Sequence, residues 1–461
     1  MKKVLIMMLL SALLLSACTG TPADSTGTTT TAAPTTTEAQ NTIEGLHAGY
    51  SRCNITPEEV LPIDSGGVTP AKPELWQIYS YLEATVVVLA DEGGLDNTVV
   101  LCAMDTLYAD DSFVEAASKA VSEKTGIPAK NVFFSASHTH AAPDLDYGDA
   151  KSDAHVKKIC GLIADSVQEA MEDLQPAKLR IGKKDLPGLN ALRRFVLKET
   201  QPNGRKVQST VGATVTLDMI DTNSPYGGYE AEPDRQIQAI QLTREGTDIV
   251  LVNWQVHPGF DGSTGGISAD YIYPLRTSLE TELMEDTVCA FFCGAGGNLN
   301  RTSVLETENR DLSKAQYGKA LAQGVVDALK EGTDVASGPI KLAHDIYTNT
   351  FKDWYPKNNV QAPLFLSAIS IGDVSFITAP YEMFCENGVQ IKNYAQENDL
   401  FEMTFICANT NGNRRYIPSQ AAFDGDPEME TFEVHYAPFG AGAAEELVGK
   451  YQTLLQQLAG N

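Results

Sequence analysis

The amino-acid sequence predicts a single large α/β domain: a mixed sheet with helices packed around it, joined by hairpins and crossovers. Three observations carry that expectation. From about residue 42 to residue 461, apolar runs of strand length alternate with amphipathic stretches of helical period. Some neighbouring runs are split only by a glycine-bearing turn and read as hairpins, while others are split by a helix and read as crossovers. No second linker and no internal repeat interrupts this span.

Residues 1–17 read as a signal peptide, with Lys2 and Lys3 ahead of an apolar run from Val4 to Leu15 broken only by Ser11. Such a run covers about 18 Å as a helix, short of the roughly 30 Å hydrocarbon core, so it addresses the chain without spanning a membrane. It closes on Leu15-Ser16-Ala17-Cys18, which resembles the bacterial lipoprotein box, with the Cys18 thiol as the lipidation point. A plain secretory signal with a chance cysteine is the alternative. Residues 18–41 are rich in Thr and Ala and read as a disordered tether. The expected location is extracytoplasmic, with lipid as the sole membrane attachment.

Within residues 42–461, residues 85–90 and 98–104 flank Glu92-Gly93-Gly94 as a first hairpin. Residues 112–124 follow as a helix stopped by Gly126, 132–137 as a strand, and 153–174 as a helix ending before Pro176. Residues 236–243 and 249–255 flank Glu245-Gly246-Thr247 as a second hairpin, ahead of a strand at 288–293 and a helix at 312–329. Residues 365–371 and 374–378 flank Gly372-Asp373 as a third hairpin. A strand at 403–408 and a helix at 443–458 complete the pattern. Two polar stretches, 199–233 and 411–438, are long enough to be functional loops.

Composition removes some functions. With 60 Asp+Glu against 34 Lys+Arg the net charge is −26, and no basic cluster offers a phosphate footprint, so nucleic acid is excluded as a partner. Of the eight cysteines, Cys18 belongs to the anchor and most of the others lie in apolar runs as buried thiols. Cys289 and Cys293 are a weak candidate for a disulfide or a metal pair.

Five strands end abruptly in residues with coordinating or oxyanion chemistry. They run into Ser137-His138-Thr139-His140, His257-Pro258-Gly259, Gly294-Ala295-Gly296-Gly297-Asn298, Pro380-Tyr381-Glu382 and Asn409-Thr410-Asn411-Gly412. Converging strand ends are where α/β proteins place ligands. His138 and His140, two apart, would share one face of an extended backbone. Imidazole suits zinc, and a catalytic zinc keeps one position open. His155 and His344 read as a helix-surface and a strand histidine, and His47 and His435 stay open.

On these residues the sequence resembles the catalytic domain of the neutral/alkaline non-lysosomal ceramidase family, zinc-dependent amide hydrolases. Gly49-Tyr50-Ser51-Arg52 with Asn54-Ile55-Thr56-Pro57 is similar to the family's opening motif, and Ser137-His138-Thr139-His140-Ala141-Ala142-Pro143 to its Thr-His-Thr-His-Ser-Gly-Pro. Asn190 to Arg194 resembles its Asn-x-Asn-Arg segment. Asn253-Trp254 with His257, then Ser268-Ala269-Asp270, resembles its second-histidine block. The resemblance implies Zn2+ held by His138, His257, Glu382 and Tyr416, with His140 and Arg193 as polar groups over the reacting carbonyl. Arg194 is the competing choice for Arg193. Two positions depart from the family: Asn300 stands where it has a catalytic serine, and Phe432 where it has a tyrosine before Glu433. A carboxamide cannot be a nucleophile but can donate to an oxyanion. The family's immunoglobulin-like domain would begin where the sequence stops.

The implied activity is hydrolysis of an amide (N-acyl) or ester bond in a small-molecule or lipid substrate, with ceramide as one option and the oligomeric state open. Two alternatives remain: a solute-binding lipoprotein, which would show two lobes, and a relative that binds lipid or glycan without catalysis.

Overall fold

One run of elements occurs three times along the chain. In the first, β1 (His47–Asn54), β2 (Glu83–Ala90) and β3 (Val99–Met104) pair antiparallel in sequence order. Helix α1 (Asp111–Thr125) then carries the chain back, β4 (Val132–Ala136) joins β3 in parallel, and α2 (Ala150–Glu172) closes the unit. The second run is β5 (Lys178–Asp185), β6 (Gln236–Thr243), β7 (Asp248–Trp254), α3 (Ile272–Ser278), β8 (Thr287–Cys293) and α4 (Lys314–Glu331). The third is β9 (Ile340–Tyr347), β10 (Leu364–Ile371), β11 (Val374–Thr378), α5 (Cys385–Glu397), β12 (Met403–Cys407) and α6 (Ala443–Ala459). Each sheet therefore has these strands in the order fourth, third, second, first, with only the fourth parallel to its neighbour, and in the first two sheets a short antiparallel strand, Gln175–Pro176 or Thr333–Val335, is added beside the first. This computed structural model describes residues 43–460 apart from 60, 62, 65–75, 146–149, 212–224, 263–264, 304, 306–308, 351 and 353–362. The signal segment, the tether and Cys18 lie outside the described residues.

The inner strands of the three sheets are covered on both faces, which explains why they read as near-continuous apolar runs. Period-two alternation sorts their side chains. Val86 and Val88 of β2 face the cluster beneath α1 and α2, whereas Val87 and Leu89 face a central cluster. Ile237 and Ala239 of β6 face α3 and α4, and Ile240 and Leu242 face the centre. In β10, Leu366 and Ala368 face α5 and α6, and Ile369 and Ile371 the centre. The central cluster thus unites side chains from all three sheets and makes them one domain. The first strand of each unit passes close to the unit's second helix. A Cβ at Gly49 of β1 would lie 2.0 Å from Ala170 O of α2, and one at Gly182 of β5 would lie 2.3 Å from Ala328 O of α4. The third unit uses Ala343 of β9 within the cluster that contains α6.

The three expected hairpins form, and the strand and helix bounds agree with the sequence reading to within a few residues. Three features differ. The repeat, invisible in the residues, is a repeat of topology. The stretch 411–438 is no open loop. It carries a short strand, Tyr416–Ile417, parallel to Glu382–Met383, and two helical turns, Gln420–Asp424 and Phe432–His435, with Tyr416, Phe423, Glu433 and Val434 buried. Of 199–233, the described part adds two strands to a small sheet around Arg194–Leu197. The seven described cysteines are free thiols, so Cys289 and Cys293 form no disulfide.

Phe405 sits in the central cluster, fully buried, edge-on to Phe376 at 5.4 Å. Phe405→Ala removes the ring and leaves a cavity shared by three sheets, a change expected to cost about 3–5 kcal/mol. The check is the shift of the urea unfolding midpoint relative to the parent protein.

Candidate metal centre

The third and fourth strands of all three units end at one place. Asn253, buried near the end of β7, donates both amide hydrogens at 3.0 Å, one to Phe292 O of β8 and one to Ile406 O of β12. Ala408 N donates to Cys293 O, Ala136 N to Asn409 O, and Gly297 N to Met383 O. These bonds tie the strand ends of the three sheets together before any site chemistry begins.

His138 enters from the end of β4, but not as the sequence pattern implied. The strand stops at Ala136, and His138 adopts a left-handed backbone with φ of 68°. A sharp turn, not extended-strand alternation, brings His138 and His140 together, with ring centroids 4.9 Å apart. The turn is braced by His138 N donating to Thr106 O, by Thr139 Oγ1 donating to Ser268 O at 2.6 Å, and by Ser268 N donating to Ala141 O. This gives the Ser268-Ala269-Asp270 block a structural job. Asp270 in turn accepts from the amides of Phe260 and Asp261 and orders the segment after His257.

Both principal imidazoles have their tautomer set by backbone carbonyls. His138 Nδ1 lies 3.0 Å from Leu107 O, and His257 Nδ1 lies 2.9 Å from Gly296 O and 3.2 Å from Leu299 O. A carbonyl only accepts, so each Nδ1 carries the proton and each Nε2 presents its lone pair. Those lone pairs meet at Glu382, whose Oε2 is 3.3 Å from His138 Nε2 and 3.1 Å from His257 Nε2. Two donors each about 2.1 Å from a tetrahedral ion stand roughly 3.4 Å apart, close to these spacings. His138 Nε2 is buried without a hydrogen-bond partner among the described residues, which is the state of an atom shaped for a ligand. His138, His140 and His257 together form a group able to hold a metal ion, their ligand atoms all within 4.8 Å of one another.

Electrostatics agree with that donor set. Burial lowers the His257 imidazole, Arg193 lowers it further, and it falls to about 4, neutral and available at neutral pH. Burial pushes the Glu382 carboxyl up, but the two imidazoles outweigh it and hold it well below the usual carboxylate range.

Tyr416 packs against the group, stacked on His257 with ring centroids 6.5 Å apart. Arg193 lies over its ring at 5.5 Å, donates from Nε to Glu433 Oε1 at 2.8 Å, and caps Gly297 O at 2.7 Å. Arg194 turns the other way, held by Glu230, Thr431 and Glu433 Oε2, so of the two arginines Arg193 is the one beside the site. Asn300 is half-buried and pairs through its backbone with Ala191, and among the described residues no hydrogen bond ties its side chain to the imidazoles. His155 and His344 stay outside the group, the latter bonded to Ser367. Tyr108 was not singled out by sequence. It follows the end of β3 as the other site residues follow their strands, and its hydroxyl donates to Glu382 Oε1 at 2.8 Å. That sixth strand end was the available signal.

No protein-family model and no curated protein matches the chain. Solved structures do. The neutral ceramidase from Pseudomonas aeruginosa superposes with a TM-score of 0.67 at 15% identity, over 90% of this chain and 74% of that one. A ceramidase complexed with C2 gives a TM-score of 0.64 at 15% identity, over 90% and 75%. The sequence expectation and the coordinates thus meet at the level of architecture: the chain has the neutral ceramidase fold.

Proposed function

We propose that the chain is a metal-dependent hydrolase of N-acyl amides, in the manner of the neutral ceramidases whose fold it shares. The observation that carries this reading is that His138 Nε2 and His257 Nε2 stand 3.3 and 3.1 Å from the same oxygen, Glu382 Oε2, the three residues being delivered by three separate sheets. In this reading His138, His257, Glu382 and Tyr416 hold a divalent ion, zinc by donor chemistry. Such an ion supplies Lewis acidity and lowers the pKa of water from about 15.7 toward about 7. The remaining steps belong to the chain's own side chains. Arg193, a permanent cation beside Tyr416, steadies negative charge on the carbonyl oxygen. Asn300 and the amides of the Gly294–Gly297 turn are further donors in the same role. His140, half-buried beside the other imidazoles, takes a proton from the attacking water and returns it to the leaving nitrogen.

The substrate is read as a small-molecule or lipid amide, with an ester as a weaker relative of the same chemistry. Its acyl group is not assigned to ceramide, because Asn300 and Phe432 replace two polar groups of that family. Residues 1–17, 18–41 and 42–461 are read as signal peptide, tether and hydrolase domain, with Cys18 anchoring the mature protein outside the cytoplasm.

His138→Ala is expected to abolish both metal content, by elemental analysis, and turnover. Stoichiometric metal in that variant would contradict the assignment. Arg193→Ala should keep the ion and lose about 10²–10³ in kcat, the scale of one oxyanion donor. Asn300→Ala should also keep it. Screening N-acyl sphingoid, N-acyl amino acid and ester substrates with and without chelator checks the class. Metal-free protein that binds these compounds without cleaving them would make the chain a binding module. In cells, Cys18→Ser should move the protein from the membrane fraction to the soluble exported fraction, read by immunoblot.

A further inference from the structure

The two oxygens of Glu382 are treated differently. Oε2 faces His138 Nε2 and His257 Nε2, while Oε1 accepts the 2.8 Å hydrogen bond from the Tyr108 hydroxyl. A carboxylate can ligate an ion through one oxygen or both, and a strong donor on one oxygen leaves the other as the ligand. Tyr108 also packs its ring on His138, centroids 5.2 Å apart. It ends a turn after β3 that already sets His138 twice, through Thr106 O accepting from the His138 backbone N–H and Leu107 O facing Nδ1 at 3.0 Å. Topology gives a second, independent reason. Tyr108, His257 and Glu382 each lie three or four residues past the third strand of their own unit, which ends at Met104, Trp254 and Thr378. The three units therefore each send one side chain from the same place to the same point.

We propose that Tyr108 is a positioning residue of the metal centre, committing Glu382 to ligation through Oε2 alone and fixing the plane of the His138 ring. The proposal rests on the reading that His138, His257 and Glu382 hold a divalent ion.

The test uses the full chain and its Tyr108→Phe variant, which keeps the ring and removes one oxygen. Zinc affinity is measured by competition with a chromogenic chelator, and the cobalt(II)-substituted proteins are compared by visible absorption. Expected are a 10–100-fold weaker affinity and a changed cobalt spectrum, because Glu382 Oε1 is freed to approach the ion. A folded variant with parental affinity would overturn the proposal. So would weaker binding with an unchanged spectrum, which would reduce Tyr108 to packing. If Tyr108→Phe fails to fold, Tyr108→Leu, which also removes the donor and adds no ligand, decides: weaker zinc binding with a changed cobalt spectrum supports the proposal, and parental values for either overturn it. A parent protein that takes up neither metal fails at the first step, and that result strikes the metal reading itself and the Tyr108 role with it.

Discussion

The Glu382 carboxylate is the constraint around which the rest is arranged. It is 1% exposed, and no Lys or Arg bonds to it among the described residues; its partners are two imidazoles and a phenol. Removing a carboxylate from water costs several kcal/mol unless charge returns to it. The two imidazoles offset part of that cost, but burial and Arg193 lower His257 to about 4, so it carries no full charge of its own at neutral pH. A divalent ion among the same atoms would supply the missing positive charge, and its binding energy would then be part of the folded state's stability. In that reading folding and ligation share one free energy at this site.

Holding such a group demands precision that helices alone would not give. Each unit's third and fourth strands are parallel neighbours, so their carboxyl ends lie together, and three such pairs meet around the central apolar cluster. Asn253 bridges two of the sheets, donating to Phe292 O in its own and to Ile406 O in the third unit's. The left-handed backbone at His138 costs about 1–2 kcal/mol in an L-residue. It persists because Ser137 N and His138 N are both held by the β3 end, at Met104 O and Thr106 O. Backbone strain of this kind concentrates where function needs a side chain aimed against local preference.

This division explains what was legible in the residues. Strand and helix periodicity gave the hairpins and most helices, because sheets covered on both faces impose continuous apolar runs. The strand-end residues were legible for the same reason: His138, His257 and Glu382 interrupt those runs abruptly. The threefold topology was not, since the links between first and second strands run from 16 residues to 50 and no side chain need recur. Helices α3 and α5, strands β1 and β5, and Tyr108 were missed. Tyr108 carries no signal of charge or rarity; its hydroxyl meets a partner 274 residues away. The same holds for the 411–438 segment, whose polar composition conceals a buried scaffold.

That segment shows how a polar stretch can be structural and still shape chemistry. Glu433, fully buried, divides its two oxygens between consecutive arginines, with Oε1 accepting from Arg193 Nε and Oε2 from Arg194 NH1. Ser209 adds a 2.9 Å bond to Oε1. Arg194 has Glu230 as a second carboxylate, so its charge is spent inside the protein. Arg193 shares Glu433, caps the Gly297 carbonyl and bonds to Tyr416, which places its cation over the Tyr416 ring. Phe432, packed edge-on against Tyr416 at 5.8 Å, offers no hydroxyl to compete for that charge. The pair of arginines that sequence alone leaves interchangeable is therefore asymmetric: one neutralises the scaffold, and the other keeps a positive field directed at the place where the three sheets end.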